Sequence, residues 1–246
     1  MICLITGWHG MIAPRFKEVI EKHGYEVVVF DRSKVNIDSD IAVKRFLKAV
    51  NPDLIIHFAY GRIKWTTIMA KYAKAHQKKF VYVSTVNVYG DNKAGNLLVN
   101  SPCLPNDEYS RYKRAVEEAV LKTNNEVYIF RLGWQISPLL ETHPNNMVSF
   151  MKREQNEHGF VLANQNSYLS VSLTKDLVEE MTRIIITMPP DIYLFNSNFS
   201  LNFYDLLVKL NDLYHLECVI KAEDGPSFNN LMFDDRVDLS NEFFSK

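Results

Sequence analysis

Short apolar runs alternate with amphipathic segments along the first half of the chain. The apolar runs predict strands at 2–6, 26–30, 53–58, 79–84 and 126–131. Apolar residues recurring every three or four positions predict helices at 11–22, 40–50, 65–76 and 107–123. The third and fourth strands are almost wholly apolar, which is typical of strands covered on both faces. The alternation therefore predicts an α/β fold with a Rossmann-type, doubly wound parallel sheet.

The pattern becomes less regular after residue 135. A helix is predicted at 174–188, a strand at 192–195 and a second helix at 202–213, whereas 135–170 reads mostly as short periodic pieces and loops. We therefore predict a Rossmann domain over 1–135. Residues 136–246 form a small C-terminal lobe packed on it, with some elements returning to the sheet.

The amino-acid composition argues against several classes of protein and partner. The 246 residues are 47% hydrophobic and 23% charged with a net charge of -1, which excludes a disordered chain and argues against nucleic acid as a partner. Three cysteines without a CxxC pair predict neither a disulfide framework nor a metal site. Because no signal-peptide pattern or membrane-spanning apolar run is present, we expect a cytoplasmic protein without a membrane partner.

A glycine-containing loop separates the first predicted strand from the first predicted helix. Gly7, Gly10 and Ala13 form the pattern Gly-x-x-Gly-x-x-Ala. Small residues at these places permit a sharp turn, close approach of the backbone to a pyrophosphate, and tight packing of helix against strand. The helix then directs free N–H groups at the anion. The pattern predicts dinucleotide binding, with a simple tight turn as the alternative.

The second predicted strand is followed by Asp31 and Arg32. A carboxylate at this position can accept hydrogen bonds from the ribose hydroxyls of a dinucleotide. Arg32 can stack on an adenine or pair with a 2′-phosphate, or it is simply a solvated charge. Because Asp31 would repel that phosphate, the two residues favour NAD and leave NADP open.

A tyrosine and a lysine share one face of the helix predicted at 107–123. Tyr109 and Lys113 are four positions apart, so the phenol and the ammonium are neighbours. A nearby cation is expected to lower the phenol pKa, which suits proton transfer to or from a carbonyl or alcohol oxygen. Thr85 follows the fourth strand, at the sheet edge where ligands gather in such folds. These three residues are the predicted catalytic set.

The motifs together resemble the extended short-chain dehydrogenase/reductase family. The resemblance covers residues 1–135 and rests on the glycine loop, Asp31, residues 57–59, residues 84–90, the Tyr109/Lys113 pair with Glu117, and residues 131–134. Within the family the chain is most similar to the dTDP-4-dehydrorhamnose reductases, on the pair Asn36-Ile37 and on Arg131-x-x-Trp134.

The resemblance implies a role for each matching residue. Tyr109 is the acid/base, Lys113 holds the nicotinamide ribose, and Thr85 orients the keto group. Substrate contacts are implied for Val86, Asn87 and Trp134. The cofactor-binding residues implied by the resemblance are Gly7, Gly10, Met11, Ile12, Asp31, Arg32, Asn36, Ile37, Phe58, Ala59, Tyr60, Tyr109 and Lys113.

The activity implied is an NAD(P)-dependent reduction of a nucleotide-linked 4-keto-6-deoxysugar. A nucleotide-sugar epimerase of the same family is the first alternative. Dehydration is not expected, because Val86 and Asn87 replace the Asp and Glu that transfer protons in the family's dehydratases. The segment 59–84 is shorter than in relatives, and Tyr60 replaces a small residue, which could leave the nicotinamide site crowded. A second alternative is therefore a non-catalytic regulatory subunit that binds a dinucleotide. A homodimer is one option for the oligomeric state.

Overall fold

The computed structural model describes residues 1–90, 95–138, 143–239 and 242–244. The strands are β1 (Ile2–Thr6), β2 (Glu26–Val29), β3 (Leu54–His57), β4 (Lys79–Thr85), β5 (Tyr128–Leu132), β6 (Trp134–Ile136), β7 (Val161–Asn164), β8 (Ser167–Tyr168), β9 (Val171–Leu173), β10 (Ile192–Phe195), β11 (Ile220–Glu223) and β12 (Phe228–Asn229). The α-helices are α1 (Ile12–Lys22), α2 (Asp40–Val50), α3 (Ile63–Ala75), α4 (Glu108–Thr123), α5 (Met147–His158), α6 (Thr174–Thr187) and α7 (Phe203–Tyr214).

Six of the strands form one sheet in the order β2-β1-β3-β4-β5-β10, and every adjacent pair is parallel. Successive side chains of a strand face opposite sides of a sheet. Ile5 accordingly packs in one core with α1 and α6, whereas Leu4 packs in a second core with α2, α3 and α4. Helices thus cover both faces, and the predicted Rossmann-type, doubly wound fold is confirmed.

The strand order changes direction at β1. The chain places β2 on one side of β1 and β3 on the other, with Thr6 level with His57. In open α/β sheets, this reversal leaves a crevice at the carboxyl ends of the two strands. The loop from β1 to α1 and the loop from β3 to α3 both start at this crevice.

A third hydrophobic core lies outside the main sheet. It joins α5 and α7 to β6, β7 and β9, with buried side chains such as Met151, Val161 and Leu206. In contrast, α6 and β10 pack on or extend the main sheet. The lobe boundary after residue 135 stays a prediction. None of the helices in the described part of the chain is both long enough and apolar enough to span a membrane.

The start of α4 is set by a capping box. The Asp107 side chain accepts a hydrogen bond from the Ser110 backbone N–H at 2.7 Å, while the Ser110 hydroxyl accepts one from the Asp107 N–H at 3.2 Å. Such reciprocal bonds satisfy donors that the first helical turn leaves free. The helix therefore begins at Glu108, which places Tyr109 in its first turn.

Candidate active site

A cleft of about 950 Å³ lies between the carboxyl edge of the sheet and the third core. Its size is in the range of small-molecule sites, which is roughly 300–1,000 Å³. Eleven of the residues predicted to bind cofactor or substrate or to act in catalysis line it: Gly7, Gly10, Met11, Ile12, Phe58, Thr85, Val86, Asn87, Tyr109, Lys113 and Trp134.

The β1–α1 loop forms one wall. Gly7 has φ +76°, and a Cβ there would stand 2.9 Å from the Ala59 nitrogen, so both conformation and space call for glycine. The Gly10 N–H donates to the Gly7 carbonyl at 2.9 Å. Helix α1 then begins without a side-chain cap at Met11. Its first turn therefore presents backbone N–H groups and the positive end of the helix dipole to the cleft.

The Tyr109 and Lys113 side chains lie together on α4. The Lys113 ammonium is 5.8 Å from the centre of the Tyr109 ring and donates to the Val83 carbonyl at 2.8 Å. Lys113 is 5% exposed, whereas Tyr109 is 45% exposed at the cleft surface. Burial lowers the pKa of Lys113 to about 8, with the nearby Glu117 carboxylate acting in the opposite direction.

The expected lowering of the Tyr109 pKa is not what the structure shows. Removal from bulk water by the surrounding walls raises this pKa, and the negative charge of Asp107 adds to the effect. The Lys113 ammonium donates to the Val83 carbonyl and lies 5.8 Å from the centre of the Tyr109 ring, and it does not outweigh these two effects on the phenol pKa. Without ligands, Tyr109 is thus a protonated phenol, which is the form that can donate a proton.

Thr85 ends β4 beside these two residues. Its hydroxyl oxygen accepts a hydrogen bond from the Asn87 N–H at 3.2 Å and so caps a short 3-10 helix over Val86–Tyr89. The same cap fixes Val86 and Asn87 at the cleft wall. Thr85 retains a proton that it can donate to an oxygen in the cleft.

A buried ion pair anchors α4 to the sheet. Glu117, fully buried, accepts from Arg131 Nε at 3.0 Å and Nη2 at 2.8 Å, a bidentate pair. Arg131 Nη1 also donates to the Tyr89 hydroxyl at 2.8 Å. Burial opposes the charge on Arg131, but the hydrogen bonds and charge of Glu117 outweigh it and raise the pKa. One network therefore joins α4, β5 and the 3-10 helix after Thr85.

His57 belongs to the core beneath the cleft. Its Nδ1 is hydrogen-bonded to the Thr6 hydroxyl at 2.8 Å and its Nε2 to the Thr66 hydroxyl at 3.0 Å. Burial, with the positive charges of Lys113 and Arg32, lowers the pKa of His57 well below its usual value. The imidazole is neutral and positions the loop after β3, since Thr6 also accepts from the Ala59 N–H.

Six predicted cofactor residues do not line the cleft. Asp31 follows the end of β2, where its carboxylate accepts from the Ser33 hydroxyl at 2.7 Å and the Ser33 N–H at 2.9 Å. These hydrogen bonds lower the pKa of Asp31, with a smaller contribution from Lys34. The residues outside the cleft lining are Asp31, Arg32, Asn36, Ile37, Ala59 and Tyr60.

The Arg32 side chain crosses to the loop after β3. Its guanidinium donates to the Tyr60 carbonyl and lies 4.9 Å from the centre of the Trp65 ring. The Tyr60 ring packs on Tyr112, with ring centres 4.1 Å apart, and is not among the residues that line the cleft, so crowding by Tyr60, which the sequence left open, is not found.

Asn36 and Ile37 lie in the turn between β2 and α2. The Asn36 side chain accepts from the Asp38 N–H at 2.8 Å, and Ile37 packs against the core. These two residues stay predicted cofactor contacts.

The far wall of the cleft comes from segments that sequence reasoning missed. Ser170 and Asn230 are joined by two hydrogen bonds, N–H to Oδ1 at 2.8 Å and Oγ to the carbonyl at 2.9 Å. They lie 60 positions apart and belong to no recognisable motif. The wall residues of this group are Gln135, His143, Pro144, Asn145, Leu169, Ser170, Phe228 and Asn230.

Comparison with known proteins gives one family match. The sequence profile of the NAD dependent epimerase/dehydratase family matches residues 3–164. Among characterised proteins, the chain is similar to the spore coat polysaccharide biosynthesis protein SpsK of Bacillus subtilis, with 21% identity over 92% of this chain and 84% of that protein. It is also similar to dTDP-4-dehydrorhamnose reductase of Aggregatibacter actinomycetemcomitans, with 23% identity over 85% of this chain and 78% of that protein.

The fold also matches a solved structure. The dTDP-4-dehydrorhamnose reductase of Bacillus anthracis in complex with NADP superposes with a TM-score of 0.78. The match covers 95% of this chain and 90% of that one at 20% identity. At this identity the structural match establishes the fold alone, so the reaction has to be inferred from the side chains that line the cleft.

Proposed function

Because the chain belongs to the NAD dependent epimerase/dehydratase family, we propose that it is an NAD(P)-dependent reductase of a nucleotide-linked 4-keto-6-deoxysugar. The observation that carries the proposal is that Thr85, Tyr109 and Lys113 line the same cleft as the β1–α1 loop. The names of two similar proteins, both dTDP-4-dehydrorhamnose reductases, support the same substrate class.

The residues on the sheet side of the cleft fit a dinucleotide. The uncapped start of α1 offers N–H groups to a pyrophosphate, and a Cβ at Gly10 would meet only the Gly7 carbonyl, at 3.2 Å. Ser84 is 4% exposed and lines the cleft, and its hydroxyl has no hydrogen-bond partner within the described residues. An unpaired buried hydroxyl of this kind suits a polar ligand group.

The charge beside β2 favours NAD. The hydrogen bonds from Ser33 that lower the pKa of Asp31 keep its carboxylate ionised at neutral pH. An ionised carboxylate suits a ribose diol and repels a 2′-phosphate. Arg32, the cation that could offset this repulsion, is occupied by the Tyr60 carbonyl. We expect a lower Kd for NADH than for NADPH, and Asp31→Asn should reduce the difference.

The chain's own groups supply the proton and the orientation. A reduced nicotinamide supplies a hydride when bound. Tyr109 donates its phenolic proton to the keto oxygen, and Thr85 donates a second hydrogen bond to the same oxygen. Lys113, held by the Val83 carbonyl, places its charge beside Tyr109 and favours the phenolate left after transfer. Trp134 offers an aromatic face to the sugar ring.

The test is oxidation of NADH and NADPH with dTDP-, UDP- and GDP-linked 4-keto-6-deoxysugars. Tyr109→Phe should reduce kcat by about 100- to 10,000-fold, a much larger effect than the change in the Kd of the cofactor. Unaltered turnover in Tyr109→Phe would overturn the assigned mechanism.

Two other outcomes would replace the proposal. Tightly held NAD in the purified protein, with sugar interconversion that needs no added cofactor, would identify an epimerase. Dinucleotide binding without turnover on any sugar nucleotide would identify a regulatory subunit.

A further inference from the structure

Gln135 carries a buried acceptor at the cleft wall. Its side chain is 6% exposed, and its Oε1 has no hydrogen-bond partner among the described residues. Leaving such a group unpaired costs about 1–3 kcal/mol, so buried polar atoms are nearly always paired. Because Gln135 lines the cleft, a molecule bound there can supply the missing donor.

The orientation of the amide is set by its neighbours. Nε2 donates to the Gly133 carbonyl at 3.1 Å. Reversing the amide would place Oε1 against that carbonyl, which is a contact between two acceptors. The backbone of Gln135 is bridged to both Asn146 and Ser172, so the side chain projects from a paired strand. The free oxygen is thus a fixed feature of the wall.

We infer that Gln135 is a specificity-determining residue whose Oε1 accepts a hydrogen bond from a hydroxyl of the bound sugar. The inference rests on the proposed function, which places a sugar beside Trp134 in this part of the cleft. Ser170 and Asn230, by contrast, already bond to each other.

Because an amide oxygen can only accept hydrogen bonds, Gln135 would select sugars that place a donor group against it. A hydroxyl can donate to Oε1, whereas a deoxy carbon or a keto oxygen cannot. A sugar lacking the hydroxyl leaves the acceptor buried and unpaired, and a site built for a hydroxyl discriminates strongly against such an analogue. A sugar turned so that its keto oxygen meets Gln135 is disfavoured for the same reason, and this directs the keto group toward Tyr109.

The experiment compares Gln135→Met with the wild type and with Gln155→Met. Methionine approximates the length of glutamine without an acceptor. Gln155 is the matched control, because its amide on α5 is bonded to the Gly159 carbonyl at 3.1 Å and to the Val219 N–H at 2.8 Å, outside the cleft lining. Kd values are measured calorimetrically for NADH alone, and then for dTDP-, UDP- and GDP-linked 6-deoxyhexoses with NADH present, a pair that cannot react.

We expect Gln135→Met to weaken binding of the sugar nucleotide by about 10- to 100-fold. The Kd of NADH should not change, and Gln155→Met should bind the sugar nucleotide like the wild type. A second measurement uses the wild type alone: monodeoxy analogues of the sugar, one of which should bind at least about 10-fold more weakly.

The outcomes separate the two proposals. Equal binding by Gln135→Met and the wild type, or wild-type affinity for every monodeoxy analogue, overturns the role of Gln135 and leaves the reductase intact. Binding of NADH without binding of any 6-deoxyhexose nucleotide overturns both.

Discussion

Replacing Glu117 with glutamine tests how helix α4 is held against the sheet. The new amide would retain the shape of the side chain but remove the only carboxylate that bonds to Arg131 in the described residues. One of the two Arg131 N–H groups would then face an amide N–H. Arg131 is 1% exposed, so its charge would stay in the interior without a carboxylate, and its remaining acceptors would be the new amide oxygen, the Tyr89 hydroxyl and the Val99 carbonyl.

The magnitude follows from this burial. Removing one partner of a buried ion pair costs about 3–5 kcal/mol, because the other charge is left uncompensated. In a chain of 150–250 residues each kcal/mol lowers Tm by about 2–4 °C, so Glu117→Gln should lower Tm by roughly 6–20 °C. Arg114 contributes little to this cost, since it bonds to Glu117 at 3.0 Å but also to the exposed Glu118 at 2.9 Å.

The assay is equilibrium unfolding in urea, with Tm from calorimetry as a second measure. Glu118→Gln is the matched control, because this side chain is 62% exposed and bonds to Arg114; it should cost no more than about 1 kcal/mol. The double variant Glu117→Gln/Arg131→Met should be more stable than Glu117→Gln alone, since it removes the unpaired charge. A loss below about 1 kcal/mol in Glu117→Gln, or a double variant less stable than the single one, would refute the reasoning.

Three further predictions concern the glycine loop, the core histidine and the lysine. Gly7→Ala should lower the free energy of unfolding in urea more than Gly24→Ala. Both glycines have a positive φ, +76° and +80°, but only at Gly7 would a new Cβ meet other atoms within 4 Å; equal losses of unfolding free energy would contradict this steric argument. The unfolding free energy should fall as pH drops below about 6.5, by up to about 1.4 kcal/mol per pH unit, because unfolded His57 takes up a proton that the folded state excludes; His57→Gln should remove this slope. For Lys113, kcat/KM should fall as pH rises through about 8, where the ammonium is lost, and a profile that stays flat through this pH would show that its charge is not required.

The sheet and its site residues were predictable because their signals are local. Buried parallel strands are continuous apolar runs, and β4 differs from its predicted end only by including Thr85. The Asp107–Ser110 box lies within four residues of sequence, so the start of α4 was correct to within one residue. Tyr109 and Lys113 are neighbours because they are four positions apart on one helix. Where geometry follows from a short stretch of chain, sequence reasoning predicted it.

The far wall of the cleft had no such signal. Strands β6, β8, β9 and β12 are two or three residues long, too short for a period to be read. Ser170 and Asn230 meet only because β8 pairs with β12 across about 60 residues of chain. Gln135 is polar in a short strand, and its unpaired oxygen becomes visible only when its surroundings are known. The far wall of the cleft therefore depends on long-range pairing that single-sequence patterns do not contain.

The short loop after β3 bears on whether the cleft can turn over a substrate. A truncated loop could fall into the cleft, but here the Tyr112 hydroxyl accepts from the Gly61 N–H at 3.0 Å and donates to the Gly61 carbonyl at 2.6 Å. Arg32 holds the adjacent Tyr60 carbonyl from the other side. The loop is thus fastened to α4 and to the end of β2, and of its residues 58–62 only Phe58 lines the cleft. A shorter loop that leaves the cleft open supports the proposed reductase over a regulatory subunit, because Tyr109 lines the cleft together with Thr85 and Lys113.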